Sequence, residues 1–238
     1  MTATDVQALK GRGFLRNKGT DCFSARVVTV NGTITSEQMR GVAAAADVFG
    51  NGVVTFTTRQ SIEVQGIPFE KTDDFVQVMK ELGLSVGGTG PRVRPVVACK
   101  GTTCPCGLID TFSLAGKIYR RFYEGWHDVA LPGKFKIGVG GCPNNCVKPN
   151  LNDVGVVGRL LPGGVRVYAL ALGGHWGRTG GEGRFLEATF ATEDAVLDAI
   201  EKVLVFYRDH AQKGERFFKL LDRVGFETLA ATLGEVAP

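Results

Sequence analysis

The sequence lacks any apolar run approaching the length of a membrane span. Its first thirty residues alternate polar and apolar types, without the basic start and apolar stretch of a secretory signal. Neither a membrane nor an export route is therefore expected, and the expected location is the cytoplasm. No run of five like charges occurs, and a net charge of +4 is too diffuse to argue for nucleic acid. No G-x-G-x-x-G follows an expected strand and opens a helix, so a dinucleotide site is not indicated. The three histidines, His127, His175 and His210, show no metal-ligand spacing. Each distinctive segment occurs once, so there is no internal repeat.

Glycine is in excess, with 33 residues, about twice ordinary usage. The excess fits either many turns or close approach of backbone to a bulky ligand. A chain of 238 residues can form one large domain or two modest ones. Gly87-Gly88-Thr89-Gly90-Pro91 reads as a linker between residues 1–88 and 91–238. In the first region a strand is expected near Cys22–Val30, then the turn signal Asn31-Gly32. Thr35 and Gln38 are spaced as a capping box for a helix to about Val48. A second strand is expected through Val53–Val64, then a helix with Thr72 as its cap and Gly83 beyond its end. Strand–helix–strand–helix within ninety residues suggests a small α+β sandwich. In the second region a helix is expected after Cys106, strands at Phe135–Val139, Gly155–Leu160 and Val165–Leu172, and a long helix from Thr192.

Six cysteines in a reducing compartment argue for metal or redox chemistry over disulfides. They fall as Cys99, Cys104 and Cys106, then Cys142 and Cys146, with Cys22 alone. Two close pairs well separated in sequence suit a four-thiolate site, each turn supplying two ligands. Zinc and a [4Fe-4S] cluster both accept that donor set, and inert buried thiols are the plain alternative. Plant-type [2Fe-2S] spacing is missed by one residue. Cys104 precedes an expected helix whose N-terminal amides would favour negative charge. Gly140-Gly141 and Pro143-Asn144-Asn145 make a tight turn whose N–H groups can bond to cluster sulfurs.

Gly141-Cys142-Pro143-Asn144-Asn145-Cys146, followed six residues later by Asp153-Val154-Gly155-Val156, resembles the sirohaem and [4Fe-4S] signature of sulfite and nitrite reductases. Thr57-Thr58-Arg59-Gln60 resembles a strand of that family's ferredoxin-like half-domain. Leu131-Pro132-Gly133-Lys134-Phe135-Lys136 resembles its anion-binding segment. The likeness runs from about Cys22 to the last helix, with C-x₄-C for the first pair where the family usually has C-x₅-C. It implies an α+β chain: a ferredoxin-like half-domain followed by a sirohaem and [4Fe-4S]-binding α/β domain. It implies cluster ligation by Cys99, Cys104, Cys142 and Cys146, with Cys146 also on the sirohaem iron. It implies multi-electron reduction of sulfite to sulfide, or of nitrite to ammonia, with electrons from an external donor protein. A non-catalytic electron-transfer protein is the rival reading. Longer relatives carry two copies of the half-domain pair and this chain carries one, which points to a homodimer.

The residues suit that chemistry. Lys134 and Lys136 are two apart on an expected strand and share a face, with Gly138 and Gly140 leaving room beside them. Arg59 would share a strand face with Thr55, Thr57 and Ser61. With Arg26, these cations are the catalytic candidates, because buried anions need cationic partners. Thr57, Thr58, Gln60, Asn144, Asn145, Gly174 and Arg178 are the further cofactor-binding candidates, with Arg92, Arg94, Lys100 and Lys148 as weaker ones for sirohaem carboxylates.

Overall fold

Thr35 accepts the Gln38 amide at 3.1 Å and the Gln38 side chain accepts the Thr35 amide at 3.1 Å, a reciprocal capping box that starts helix α2 (Ser36–Phe49). The computed structural model describes residues 2–233, and the chain divides into Met1–Gly90 and Pro91–Pro238.

The first unit contains α1 (Ala3–Gly11), β1 (Phe14–Arg16), β2 (Cys22–Val28), α2, β3 (Val54–Phe56), β4 (Ile62–Pro68), α3 (Thr72–Glu81) and β5 (Ser85–Val86). Its antiparallel sheet runs β1-β2-β4-β3, with β5 also on β2. Phe23, Ala25 and Val27 alternate on the inner face of β2 and pack with Val42, Ala45, Ala46, Phe75 and Met79 of α2 and α3. Asn31 (φ 61°) and Gly32 (φ 70°) form the expected turn.

Two expectations are corrected here. The strand expected through Val53–Val64 is a hairpin, with Thr57–Ser61 as the turn between β3 and β4. Thr57 organises that turn: its N–H reaches Ser61 O at 2.8 Å and its Oγ1 accepts the Arg59 and Ser61 amides at 3.2 Å. Gln60 sits at φ 59°. Arg59 therefore lies on a turn, not on a strand face shared with Thr55. Thr72 is not a cap either. A 3₁₀ turn over Phe69–Lys71 leads into α3, and the Thr72 hydroxyl donates to Phe69 O at 2.8 Å. Gly83 (φ 70°) does close α3.

The second unit contains β6 (Val97–Ala98), α4 (Thr111–Ile118) running into a π-helical turn over Tyr119–Glu124, β7 (Ile137–Gly140), β8 (Val154–Leu160), β9 (Arg166–Leu172), β10 (Arg184–Phe190), α5 (Glu193–His210), α6 (Phe217–Val224) and α7 (Phe226–Leu233). The sheet order is β10-β9-β8-β7-β6. β6, β7 and β8 are parallel, whereas β8, β9 and β10 are antiparallel. Phe135, Tyr207 and Phe217 pack with ring centroids 5.3–5.7 Å apart and lock α5 and α6 against the segment leading into β7.

Parallel pairing of β7 and β8 forces residues 141–153 to run back along the sheet. The glycines make room for that return. A Cβ on Gly155 would lie 2.4 Å from Pro149 O, and on Gly138 2.6 Å from Asn152 Nδ2. The space at Gly138 and Gly140 is thus filled by Pro149 and Asn152, not left open beside the lysines. Gly155→Ala is expected to cost about 1–3 kcal/mol, because the obstacle is backbone and cannot rotate away. A lowered urea midpoint at unchanged m would show it; parental stability would mean that the return segment can retreat.

Candidate active site

Cys99 follows β6 and Cys142 follows β7, with Gly141 between. Because the two strands are parallel neighbours, with Ala98 opposite Val139, both cysteines emerge at the carboxyl end of the sheet. The Gly141 amide donates to Cys99 Sγ at 3.1 Å, and the Leu108 amide donates to Gly141 O at 2.8 Å. A Cβ on Gly141 would lie 2.8 Å from Gly101 Cα. Two glycines thus let the Cys99–Cys106 loop lie directly on the Cys142 turn. Cys99, Cys104 and Cys142 are half-buried, whereas Cys106 and Cys146 are exposed, and all six cysteines are free of disulfides. Among the described residues no three His, Cys, Asp or Glu side chains are set to hold a single metal ion. What the structure brings together is the backbone of the two cysteine loops, at Gly101 and Gly141.

The Cys142–Lys148 segment turns twice, with Asn145 (φ 56°) and Lys148 (φ 50°) left-handed. Asn145 Nδ2 donates to Asn150 Oδ1 at 2.8 Å, tying the turn to the return segment, while Asn145 Oδ1 is buried without a partner among the described residues. Asn144 is exposed. The expected help from a helix N-terminus is not available to Cys104. Helix α4 starts only at Thr111, and Asp110 accepts the Ser113 amide at 2.9 Å while Thr102 Oγ1 accepts the Phe112 amide at 3.0 Å. The Ser113 amide, then the Thr102 hydroxyl donating at 2.7 Å, hold the Asp110 carboxyl below its usual range. Thr111 Oγ1 donates to Cys99 O at 2.7 Å, so α4 instead anchors the cysteine loop.

Lys134 and Lys136 lie at the other end of β7, which is four residues or about 13 Å long. Phe135 is buried between them. The Lys136 amide donates to Asp153 Oδ2 at 2.8 Å and its ammonium is 3.5 Å from Trp176 O. Asp153 is 0% exposed and also accepts from Arg216 Nη2 at 3.1 and 3.2 Å. Burial pushes the Asp153 carboxyl up, against the pull of Arg216 and the Lys136 amide. Partial desolvation, then the charges of Arg216 and Arg94, push the Lys134 ammonium below its ordinary range. Sequence reasoning missed Arg216 as a member of this cluster.

In the first unit Arg26 is engaged by Glu63, its directly opposite neighbour on β4, at 3.0 and 2.5 Å. Thr57 shapes the hairpin turn, Thr58 is exposed, and Gln60 O accepts the Thr29 hydroxyl. Gly174 packs against the return segment. A Cβ there would meet Asn150 O at 2.1 Å and Asn152 O at 2.6 Å, so its space belongs to the chain's own backbone. Gly177 and Gly180 are open, and with Trp176 and His175 they line a cleft of about 430 Å³. Arg178, in the same loop, is exposed.

Paired cysteine loops at the carboxyl end of neighbouring parallel strands, with a cationic cluster at the other end of β7, define a class. Residues 89–238 match the nitrite and sulphite reductase 4Fe-4S domain, and residues 15–82 the nitrite/sulfite reductase ferredoxin-like half domain. The chain belongs to the nitrite and sulfite reductase family. It is 31% identical over 228 residues to an assimilatory-type sulfite reductase of Nitratidesulfovibrio vulgaris, covering 94% of this chain and 98% of that one. It is 30% identical over 206 residues to the NAD(P)H nitrite reductase of Bacillus subtilis, covering 86% of this chain and 24% of that one. Several relatives are longer proteins, of which the chain spans 20–48%. The structure of the NirA protein of Mycobacterium tuberculosis superposes with a TM-score of 0.86 at 19% identity, over 98% of this chain and 46% of that one, a likeness of fold. Among the described residues no helix is long and apolar enough to cross a membrane.

Proposed function

We propose that this chain reduces sulfite to sulfide, with Cys99, Cys104, Cys142 and Cys146 as the residues that would hold a [4Fe-4S] cluster and Cys146 as the one that would also hold a sirohaem. The observation that carries the reading is the contact of the Cys99 and Cys142 loops at the ends of neighbouring parallel strands, with the Gly141 amide on Cys99 Sγ. The donor set fits the cluster: four thiolates from two loops, with an N–H···S bond of the kind that tunes cluster potential. The surroundings fit a carboxylate-rich macrocycle, since Lys148 and Arg178 are exposed and Gly177 and Gly180 leave open space. When bound, these groups supply one-electron transfer and a metal centre for the anion's sulfur or nitrogen.

The chain's own residues do the rest. Lys134 and Lys136 neutralise the anion and hold protons at Nζ for transfer to its oxygens. A lowered Lys134 ammonium gives up its proton more readily than a free lysine. Asp153 fixes the Lys136 backbone from a buried position. Arg59, Thr57, Thr58, Gln60 and Arg26 keep the anion- and cofactor-binding roles that the motif implies. The relative of nearly equal length is named a sulfite reductase, which favours sulfite; nitrite is the alternative, favoured by the nitrite reductase relative. The reading includes a reducing cytoplasm, an external electron-donor protein and a homodimer. An absorption spectrum of the purified protein tests it. Intense porphyrinoid bands are expected; a broad brown shoulder alone would leave an electron-transfer protein, and a colourless protein would sink both.

A further inference from the structure

Three cations, Lys134, Lys136 and Arg216, stand near one buried carboxylate, Asp153, and the charge of Arg94 is felt at Lys134. Glu215, beside Arg216 in sequence, is taken by Arg223 at 3.0 and 2.8 Å. Arg216 precedes α6, and its side chain is 19% exposed. An arginine serving only as an ion-pair partner presents its fork, two N–H groups to two oxygens. Here Asp153 uses Nη2 alone, with both oxygens on that nitrogen. The adjoining Nε is buried and has no partner among the described residues. A buried cationic donor left unpaired is costly, and an anion beside Lys134 would satisfy it.

We propose that Arg216 is a further cation of the anion site formed with Lys134 and Lys136, and that Asp153 is the residue positioning both its guanidinium and the Lys136 backbone. The proposal rests on the reading of the two lysines as anion ligands. It differs from that reading in giving a stated job to a pair 63 residues apart in sequence. Asp153 grips the guanidinium by one nitrogen and so keeps the other donors turned from itself. The same carboxylate holds the Lys136 amide, which fixes the spacing between the guanidinium and the lysines.

The test is titration of the purified full chain with sulfite and, as an inert tetrahedral anion, with sulfate, followed by calorimetry. Arg216→Gln should weaken both about tenfold or more, the effect of losing one charge-assisted bond. In the active enzyme KM for sulfite should rise by a similar factor with kcat much less changed, and Arg216→Lys should recover most of the affinity. Since Arg216→Gln leaves Asp153 buried without its partner, the double variant Asp153→Asn/Arg216→Gln is the second arm. Its neutral pair keeps an acceptor for the Lys136 amide. A folded double variant with parental sulfate affinity and KM would overturn the proposal, leaving Arg216 as a brace for α6. Should the purified protein lack porphyrinoid bands, the reductase reading fails while the sulfate titration still decides on Arg216.

Discussion

Lys136→Met is expected to lower turnover about 10²–10³-fold while both cofactors stay bound, the usual effect of removing one preorganised donor at a reacting anion. Methionine keeps the unbranched stem, so packing along the segment is conserved and only the charge and proton are lost. The backbone should not move, because Asp153 holds the residue through its amide at 2.8 Å and not through its side chain. Phe135, buried next to it and packed on Tyr207 and Phe217, pins the segment further. The side-chain bond to Trp176 O, at 3.5 Å, is a weak one. Steady-state rates with sulfite, alongside the absorption spectrum of the variant, check the result. Normal turnover would make Lys136 a solvated charge. A lost spectrum would make it a cofactor-retaining residue instead.

The elements legible in the sequence were those whose signals are local. Helix α2 announces itself by Thr35 and Gln38, and α5 by Thr192, whose Oγ1 accepts the Ala195 amide at 3.2 Å. The hairpin of β3 and β4 was not legible. Its turn holds no glycine or proline, Thr57 and Thr58 favour strands, and nothing in the sequence marks Gln60 as left-handed. Strand β6, two residues long, is too short to show a period.

The site was legible to a similar degree. The cysteine spacing stands out along the chain, and so does the pair of lysines. The use of the glycines did not, since a sequence cannot tell a glycine that opens space for a ligand from one that admits the protein's own backbone. Gly155 and Gly174 are of the second kind, and Gly138 and Gly140 admit the Asn152 side chain and the Pro149 ring. Arg216 was hidden for another reason: its partner Asp153 is far away in sequence, and only the return of residues 141–153 along β7 brings the carboxylate to it.

Cys104→Ser is expected to abolish the cluster, while Cys106→Ser leaves iron and sulfide content intact. The two thiols are separated by one proline, so sequence spacing barely distinguishes them. The structure gives them different settings. Cys104 is half-buried and its backbone is fixed at both ends, its amide to Gly101 O at 3.3 Å and its carbonyl accepting the Gly107 amide at 2.9 Å. Gly101 is the residue that lies against Gly141, so Cys104 is anchored to the backbone that carries Cys142. Cys106 is exposed, beyond Pro105, with no described bond drawing it toward that contact. A serine hydroxyl is a harder and less acidic donor than a thiol, so substitution at a true ligand removes one of four bonds to the cluster. Iron and acid-labile sulfide per chain, with circular dichroism to confirm folding, measure the outcome. Retention in Cys104→Ser with loss in Cys106→Ser would reverse the assignment and put C-x₆-C, rather than C-x₄-C, as the spacing of the first ligand pair.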